Sequence, residues 1–308
     1  MIAPLVVAEV GGNHRGEMQT ARRMIEIAGS YCTEHFQLGG VRPSVAVKFQ
    51  KRTVSLKPSD YARPHPNPYH SYGDSYGAHR EALEFDASQH EDLRDCAEAF
   101  GVTYACSVWD IPAAEEVARL DPAWIKVPSA HNLDWPLIEW LADWGGSLHI
   151  SLGMTLRSEA DQLVGFLTRL GAAKRTTLYH CTSDYPVRTE DVRLDEIDTL
   201  KARYGGDVAG FGFSGHHHGI AVDMVAASLG VSHIERHYTL NRTWRGTDHS
   251  ASLEPDGIRK LVRGVEEVHR ARGTKGDTGL LDTERVQRDK LKHTETTVDG
   301  AGGRGNIA

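Results

Sequence analysis

Two short stretches, Ser214-Gly-His216 and Glu235-Arg-His237, each place a histidine near the end of a β-type run. The second also sets a carboxylate two residues from its histidine, on the same side of a strand. Two imidazoles on neighbouring strands can share one metal ion. The spare coordination positions would go to water or substrate oxygen, which suits Mn²⁺, Mg²⁺ or a similar Lewis acid better than a closed structural zinc. Taken alone, each histidine also fits a satisfied core position. Two lysines, Lys48 and Lys126, fall inside other apolar runs. A buried lysine is costly without a partner, so the pair points either to structural ion pairs (Lys48 with Glu9, Lys126 with Asp110) or to a bound anion. Serines at the ends of neighbouring runs, Ser107, Ser129, Ser151 and Ser214, favour the second reading because they can complete a phosphate or carboxylate cradle.

These residues need a scaffold that brings many strand ends together. Eight β-type runs can be counted: Pro4–Val10, Ser44–Gln50, Thr103–Asp110, Trp124–Ala130, Leu148–Met154, Thr176–Ser183, Val208–Gly215 and His233–Leu240. Each is β-branched, aromatic or almost continuously apolar, as strands covered on both faces are. Helical patterns alternate with them: Glu17–Ser30, Ser88–Phe100, Pro112–Leu120, Trp135–Trp144, Arg157–Leu170, Arg193–Tyr204, Ile220–Leu229 and Pro255–Arg272. Strict alternation of eight strands and eight helices predicts an α/β fold, the (β/α)8 TIM barrel, over residues 1–293. An open doubly wound sheet competes. It lacks support because Val10-Gly-Gly-Asn-His-Arg-Gly16 does not carry GxGxxG spacing.

The stretch 51–84, rich in Pro, Tyr and His, follows the second strand's C-terminal end. It is expected to be an active-site loop insertion. Residues 294–308 are glycine-rich and expected to be a flexible tail. The 308 residues carry a net charge of −7 and no long basic run, which disfavours nucleic acid as a partner. The four cysteines show no metal spacing, and Cys106 and Cys181 read as small buried hydrophobes. Neither a signal peptide nor a membrane-length apolar run is found, so a cytoplasmic protein is expected. Trp135, Trp140 and Trp144 read as a packing stripe, and His217 and His218 as loop residues.

Several motifs resemble the N-acetylneuraminate (sialic acid) synthase family: Ala8-Glu-Val-Gly-Gly-Asn-His-Arg-Gly16, Val47-Lys-Phe-Gln50, Tyr76-Gly-Ala-His-Arg-Glu-Ala-Leu-Glu-Phe85 and Ile125-Lys-Val-Pro-Ser129. Further matches are Ile150-Ser-Leu-Gly-Met154, His180-Cys-Thr-Ser-Asp-Tyr-Pro186, Phe213-Ser-Gly-His-His217, Ile234-Glu-Arg-His-Tyr-Thr239 and Asp248-His-Ser-Ala-Ser-Leu-Glu-Pro255. The resemblance implies condensation of phosphoenolpyruvate with a sugar aldehyde, giving a 2-keto-3-deoxy acid and phosphate. It implies that His216 and His237 hold the divalent metal. Lys48, Ser107, Lys126, Ser129, Ser151, Ser183 and Ser214 would hold phosphoenolpyruvate. Glu9 and Glu235 would manage protons and the attacking water, and Gln50, His131, Tyr185 and Asp248 would face the sugar.

The resemblance further implies a homodimer acting on small molecules. It also implies a small C-terminal antifreeze-like domain that lends an arginine to the neighbouring subunit, for which a chain ending at Ala308 has no room. Other departures concern the sugar side. His131 stands where an acidic residue is usual, Ser183 where Asn is usual, Gly215 where Asp is usual and Leu152 where Thr is common. A related condensation on a different aldehyde is therefore expected. Two other readings stay open: a metal-dependent aldolase or lyase using pyruvate, and a catalytically silent barrel acting as a binding partner.

Overall fold

The computed structural model describes residues 3–37, 45–54 and 58–292. Eight parallel strands close into one barrel in sequence order: β1 (Leu5–Glu9), β2 (Val45–Lys51), β3 (Thr103–Val108), β4 (Ile125–Val127), β5 (Leu148–Ser151), β6 (Thr176–Cys181), β7 (Gly210–Gly215) and β8 (His233–His237). The helices are α1 (Met18–Gln37), α2 (Pro58–Ala62), α3 (Tyr76–Glu81), α4 (Ala87–Ala99), α5 (Ile111–Ala118), α6 (Trp135–Trp144), α7 (Arg157–Arg169), α8 (Glu196–Tyr204), α9 (Ala221–Ser228), α10 (Pro255–Ala271) and α11 (Asp282–Leu291). The chain divides into two units, Met1–Arg270, which holds the barrel, and Ala271–Ala308, whose described part holds α11. The predicted tail at 294–308 lies outside the described residues.

Side-chain parity explains how apolar strands deliver polar groups to one place. Successive strand residues point to opposite faces. On β2, Val45, Val47 and Phe49 join the main apolar core, while Ala46 belongs to a separate small cluster with Val7, Ala105 and Trp124 inside the barrel. Lys48 and Gln50 share the parity of Ala46. The same alternation puts Val6 and Ala8 in the main core and Glu9 with Val7. It puts Cys106 in the core and Ser107 with Ala105, and Ile125 and Val127 in the core with Lys126 opposite. On β8, Ile234 is in the core, and Glu235 and His237 have the other parity.

Helix starts are set by short polar caps. Asp86, Asp110 and Asp134 accept from backbone N–H groups of Gln89, Ala113 and Leu137, at the first turns of α4, α5 and α6. Most predicted elements agree with the observed ones to within a few residues, but α1 runs past the predicted end at Ser30 to Gln37, and α2, α3 and α11 have no predicted counterpart. Other differences have local causes. β4 stops at Val127 because Pro128 has no N–H to continue the ladder. The helix predicted from Arg193 begins at Glu196, and Arg193 holds φ 53, outside the helical region. β8 ends at His237 because Tyr238 bridges to Leu253 instead. The 51–84 insertion carries α2 and α3. Trp135, Trp140 and Trp144 pack against the core as the sequence suggests.

Candidate active site

Strand register assembles the charged groups. Glu9 lies beside Lys48 on one side and His237 on the other, Ser107 lies beside Lys126, and Ser214 lies beside Glu235. Lys48 donates to Ser107 Oγ at 2.6 Å, is in ionic contact with Glu9, and lies 3.7 Å from Glu235 Oε2. Lys126 donates to Glu235 Oε1 at 2.6 Å, and Ser214 Oγ donates to the same oxygen at 3.1 Å. All four ionisable side chains are buried. The alternative partner for Lys126 considered from sequence is ruled out by position. Asp110 caps α5 and accepts from the Thr53 N–H at 2.7 Å and Oγ1 at 2.9 Å. Beneath, the Lys126 ammonium stands 4.3 Å from the centre of the Tyr179 ring, and the Tyr179 hydroxyl meets His149 Nδ1 at 2.9 Å.

The electrostatics follow from burial set against pairing. Burial is the largest influence on Glu235 and opposes its charge, yet Lys126 and Lys48 outweigh it and hold the carboxyl below the usual range. For Lys48, burial would lower the pKa, but Glu235 and Glu9 together raise it. Lys126 goes the other way: burial dominates, Glu235 offsets only part of it, and Lys48 adds repulsion. Lys126 is thus the ammonium least well compensated by the protein.

His216 and His237 face one another with ring centres 5.4 Å apart. His216 Nδ1 lies 3.0 Å from the Thr182 carbonyl, which only accepts, so Nδ1 carries the proton and the Nε2 lone pair is bare. Burial, then His237, lowers the His216 pKa to about 3, which keeps the ring neutral and able to ligate at ordinary pH. His237 Nδ1 is buried with no hydrogen-bond partner. The Tyr185 ring lies 4.1 Å from His216. Among the described residues no group of three or more His, Cys, Asp or Glu side chains is placed to hold an ion. Any divalent ion here would be held by the two imidazoles alone, through the bare His216 Nε2 and a ring nitrogen of His237.

One cavity of about 320 Å³ connects these groups. It is lined by Glu9, Lys48, Gln50, Ser107, Lys126, Ser129, Ser151, Ser183, Tyr185, Ser214, His216, Glu235, His237 and Asp248. His131 does not line it. Its ring stands 5.3 Å from Trp109, edge on, and Trp109 does line the cavity. The sequence reading missed Arg52 and Arg80, which also line it. The first could have been found by extending the alternation Lys48, Gln50, Arg52. The second lies in α3 of the insertion, where no strand period marks it. Cys181, read as a buried hydrophobe, is buried and lines the cavity as well. His217, read only as a loop residue, is buried and accepts from Arg236 at 3.0 Å.

Comparison with known proteins identifies the family. The NeuB family profile matches residues 44–277. Human N-acetylneuraminate-9-phosphate synthase is 35% identical over 290 residues, covering 93% of this chain and 76% of the relative. The N,N'-diacetyllegionaminic acid synthase of Campylobacter jejuni is 28% identical, covering 87% of this chain and 77% of the relative. Among solved structures, the N-acetylneuraminic acid (sialic acid) synthetase of Leptospira borgpetersenii, crystallised with citrate, superposes with a TM-score of 0.75 at 25% identity, over 95% of this chain and 94% of that one. The chain belongs to the NeuB family.

Proposed function

We propose that this NeuB-family chain condenses phosphoenolpyruvate with an open-chain sugar aldehyde and water, giving a 2-keto-3-deoxy acid and inorganic phosphate. One observation carries the reading. Two ammonium groups, two carboxylates and two imidazoles converge on one cavity at the C-terminal mouth of the barrel, the reactive face of this fold.

Lys48 and Lys126 bind the carboxylate and phosphate of phosphoenolpyruvate, with hydroxyls from Ser107, Ser129, Ser151, Ser183 and Ser214 completing the cradle. Gln50, Tyr185 and Asp248 face the sugar, while His131, which does not line the cavity, has no direct part. His216 and His237 would hold a divalent ion, Mn²⁺ or Mg²⁺, which when bound would supply Lewis-acid polarisation of the aldehyde oxygen. C3 of phosphoenolpyruvate attacks the aldehyde carbon and the aldehyde oxygen takes a proton. Water then adds to the cationic C2, and a carboxylate removes its proton. The tetrahedral centre expels phosphate and leaves the ketone. Glu235 is held ionised by two lysines and becomes a competent base for the water proton once they turn to the substrate anion, and Glu9 is oriented by the Gln50 amide at 2.7 Å. No helix among the described residues is long and apolar enough to cross a membrane. A cytoplasmic enzyme is proposed. A homodimer is proposed on the resemblance alone, and light scattering reads it directly.

The test is phosphate release from phosphoenolpyruvate, dependent on both an aldehyde and Mn²⁺. Turnover of pyruvate without phosphate release would establish the aldolase reading instead. Failure to bind phosphoenolpyruvate with or without Mn²⁺ would refute the proposal. His237→Ala is expected to lose Mn²⁺ by elemental analysis and to lose activity, with the circular dichroism of the barrel retained.

A further inference from the structure

The barrel floor beneath the lysine pair has no part in the chemistry proposed above. Four rings meet there: Trp124, His149 on β5, Tyr179 on β6 and His233 on β8. Trp124 and His149 stack at 4.7 Å with planes 13° apart, and His233 stands edge-on to His149 at 4.6 Å. His149 is thereby held from two sides, and its Nδ1 meets the Tyr179 hydroxyl at 2.9 Å. That bond fixes the Tyr179 ring and commits its hydroxyl. What the ring presents to Lys126 is its face, with the ammonium 4.3 Å from the ring centre.

The neighbouring strand leaves room for this ring. Tyr179 lies beside Gly212 in the β6–β7 register, and a Cβ at Gly212 would meet the ring at 2.5 Å. Any larger residue there would push Tyr179 from its place under Lys126. Burial, then Glu235, holds the phenol well above its ordinary pKa, so the ring stays neutral and offers only its π face.

Lys126 has few other sources of compensation. Glu235 on β8 is its one carboxylate partner, and Lys48 on β2 also draws on Glu235, at 3.7 Å. The other titratable groups facing it are Cys181 on β6 and the imidazoles of His149, His216 and His233, which burial keeps neutral. A desolvated cation over a ring face is attracted by the ring quadrupole. A substrate anion that turns Lys126 away from Glu235 leaves that attraction in place.

Building on the condensing reading above, we infer that Tyr179 is a positioning residue for phosphoenolpyruvate binding. Its ring face, fixed by His149 and given room by Gly212, seats the Lys126 ammonium and keeps it charged in the anion site.

The experiment replaces Tyr179 by Phe, and then by phenylalanines carrying one, two and three fluorines. These keep the shape of the ring and progressively empty its face. All lack the hydroxyl, so Tyr179→Phe is the reference. Titration calorimetry of the full chain with phosphoenolpyruvate runs from about pH 7.5 to about pH 10.5, where the substrate phosphate is already ionised. Affinity needs a charged Lys126, so it is present below the Lys126 pKa and lost as pH rises through it. Burial lowers that pKa, whereas the Lys48 pKa is raised by its two carboxylates, so of the two lysines Lys126 gives the earlier loss. The Cys181 thiol, which burial pushes up, is common to the whole series and cancels in the comparison.

The trifluorinated ring is expected to move the alkaline loss down by about one pH unit relative to Phe. Binding then weakens about tenfold on the alkaline side and stays within about twofold at pH 7.5. A loss at the same pH across the series, or an equal weakening at every pH, would overturn the inference, because a packing role alone produces those results. Urea unfolding at about pH 7 needs no substrate. The trifluorinated ring is expected to raise the unfolding constant about tenfold relative to Phe when Lys126 is present, and to leave it unchanged in Lys126→Met. An equal effect in both backgrounds refutes the seat. Failure of the native protein to bind phosphoenolpyruvate tells against the condensing reading, and the unfolding comparison then decides the seat by itself.

Discussion

Replacing Lys126 by Met tests both the ion-pair geometry and the role of this lysine in the anion site. The methionine keeps most of the aliphatic stem, so little cavity is created, but the ammonium is removed. Glu235 loses its 2.6 Å partner and keeps Lys48 at 3.7 Å and the Ser214 hydroxyl at 3.1 Å. Breaking a buried ion pair by removing one side costs about 3–5 kcal/mol. The two remaining partners, and removal of the poorly compensated Lys126 charge, place the expected loss near 3 kcal/mol at pH 7.

The pH dependence gives this prediction its sign. In the native protein the folded Glu235 carboxyl is held below its unfolded value. The stability it contributes is fully present above the unfolded pKa of about 4.3, and is lost as pH falls through the folded value. In Lys126→Met the folded carboxyl rises and burial now favours its protonated form. The stability gap between the two proteins should therefore be full at pH 7 and narrow as pH falls toward about 4.5. Urea unfolding at both pH values measures the gap, and titration calorimetry with phosphoenolpyruvate measures the site. Affinity is expected to fall about ten- to a hundredfold. A variant as stable as the native protein at pH 7, or a gap of equal size at both pH values, would refute the ion-pair argument. Unchanged affinity would remove Lys126 from the anion site.

Gly11→Ala should lower kcat more than stability. Gly11 holds φ +53, a strain of about 1–2 kcal/mol for alanine, and a Cβ there would stand 3.1 Å from Gln50 Nε2 and 3.2 Å from Glu9 Oε1. Single-turnover rates set against urea midpoints separate the two effects. Asp223→Asn should destabilise by about 3–5 kcal/mol in urea, because it leaves a buried Arg236 without its carboxylate at 2.5 Å. Burial, then His90, lowers the His14 pKa to about 3, and its Nδ1 accepts from the Gly16 N–H at 3.0 Å, a bond that protonation breaks. The stability it supports is full above the unfolded pKa near 6.5 and is lost as pH falls toward 3. His14→Asn should flatten the stability profile between pH 6 and 4 by about 1.4 kcal/mol per pH unit.

The inner half of the site was legible because its physics leaves a mark in sequence. A lysine amid Val45–Lys51 or amid Ile125–Val127 breaks an apolar run at a position whose parity is fixed. Closing the barrel then turns that parity into convergence. The outer half was less legible because no period governs it. Arg80 is delivered by α3, a six-residue helix inside the insertion, and only the packing of that helix against the mouth shows where its side chain goes. The partner of Lys126 was misjudged for a related reason. Asp110 is a neighbour by strand order, but as a helix cap its carboxylate is already committed to backbone N–H groups, whereas Glu235 reaches Lys126 across the barrel.

Charge accounting ties the two halves together. At the inner end two lysines meet two glutamates, so the pocket is balanced without substrate and the buried groups are tolerable in the free protein. On the proposed function, a phosphoenolpyruvate anion entering there would draw Lys48 and Lys126 toward itself and away from Glu9 and Glu235. Loosening the pairs around Glu235 raises the proton affinity of that carboxylate when a water proton must be removed. At the outer end the account is open: Arg80 and Asp248 each face the cavity without a counter-ion among the described residues.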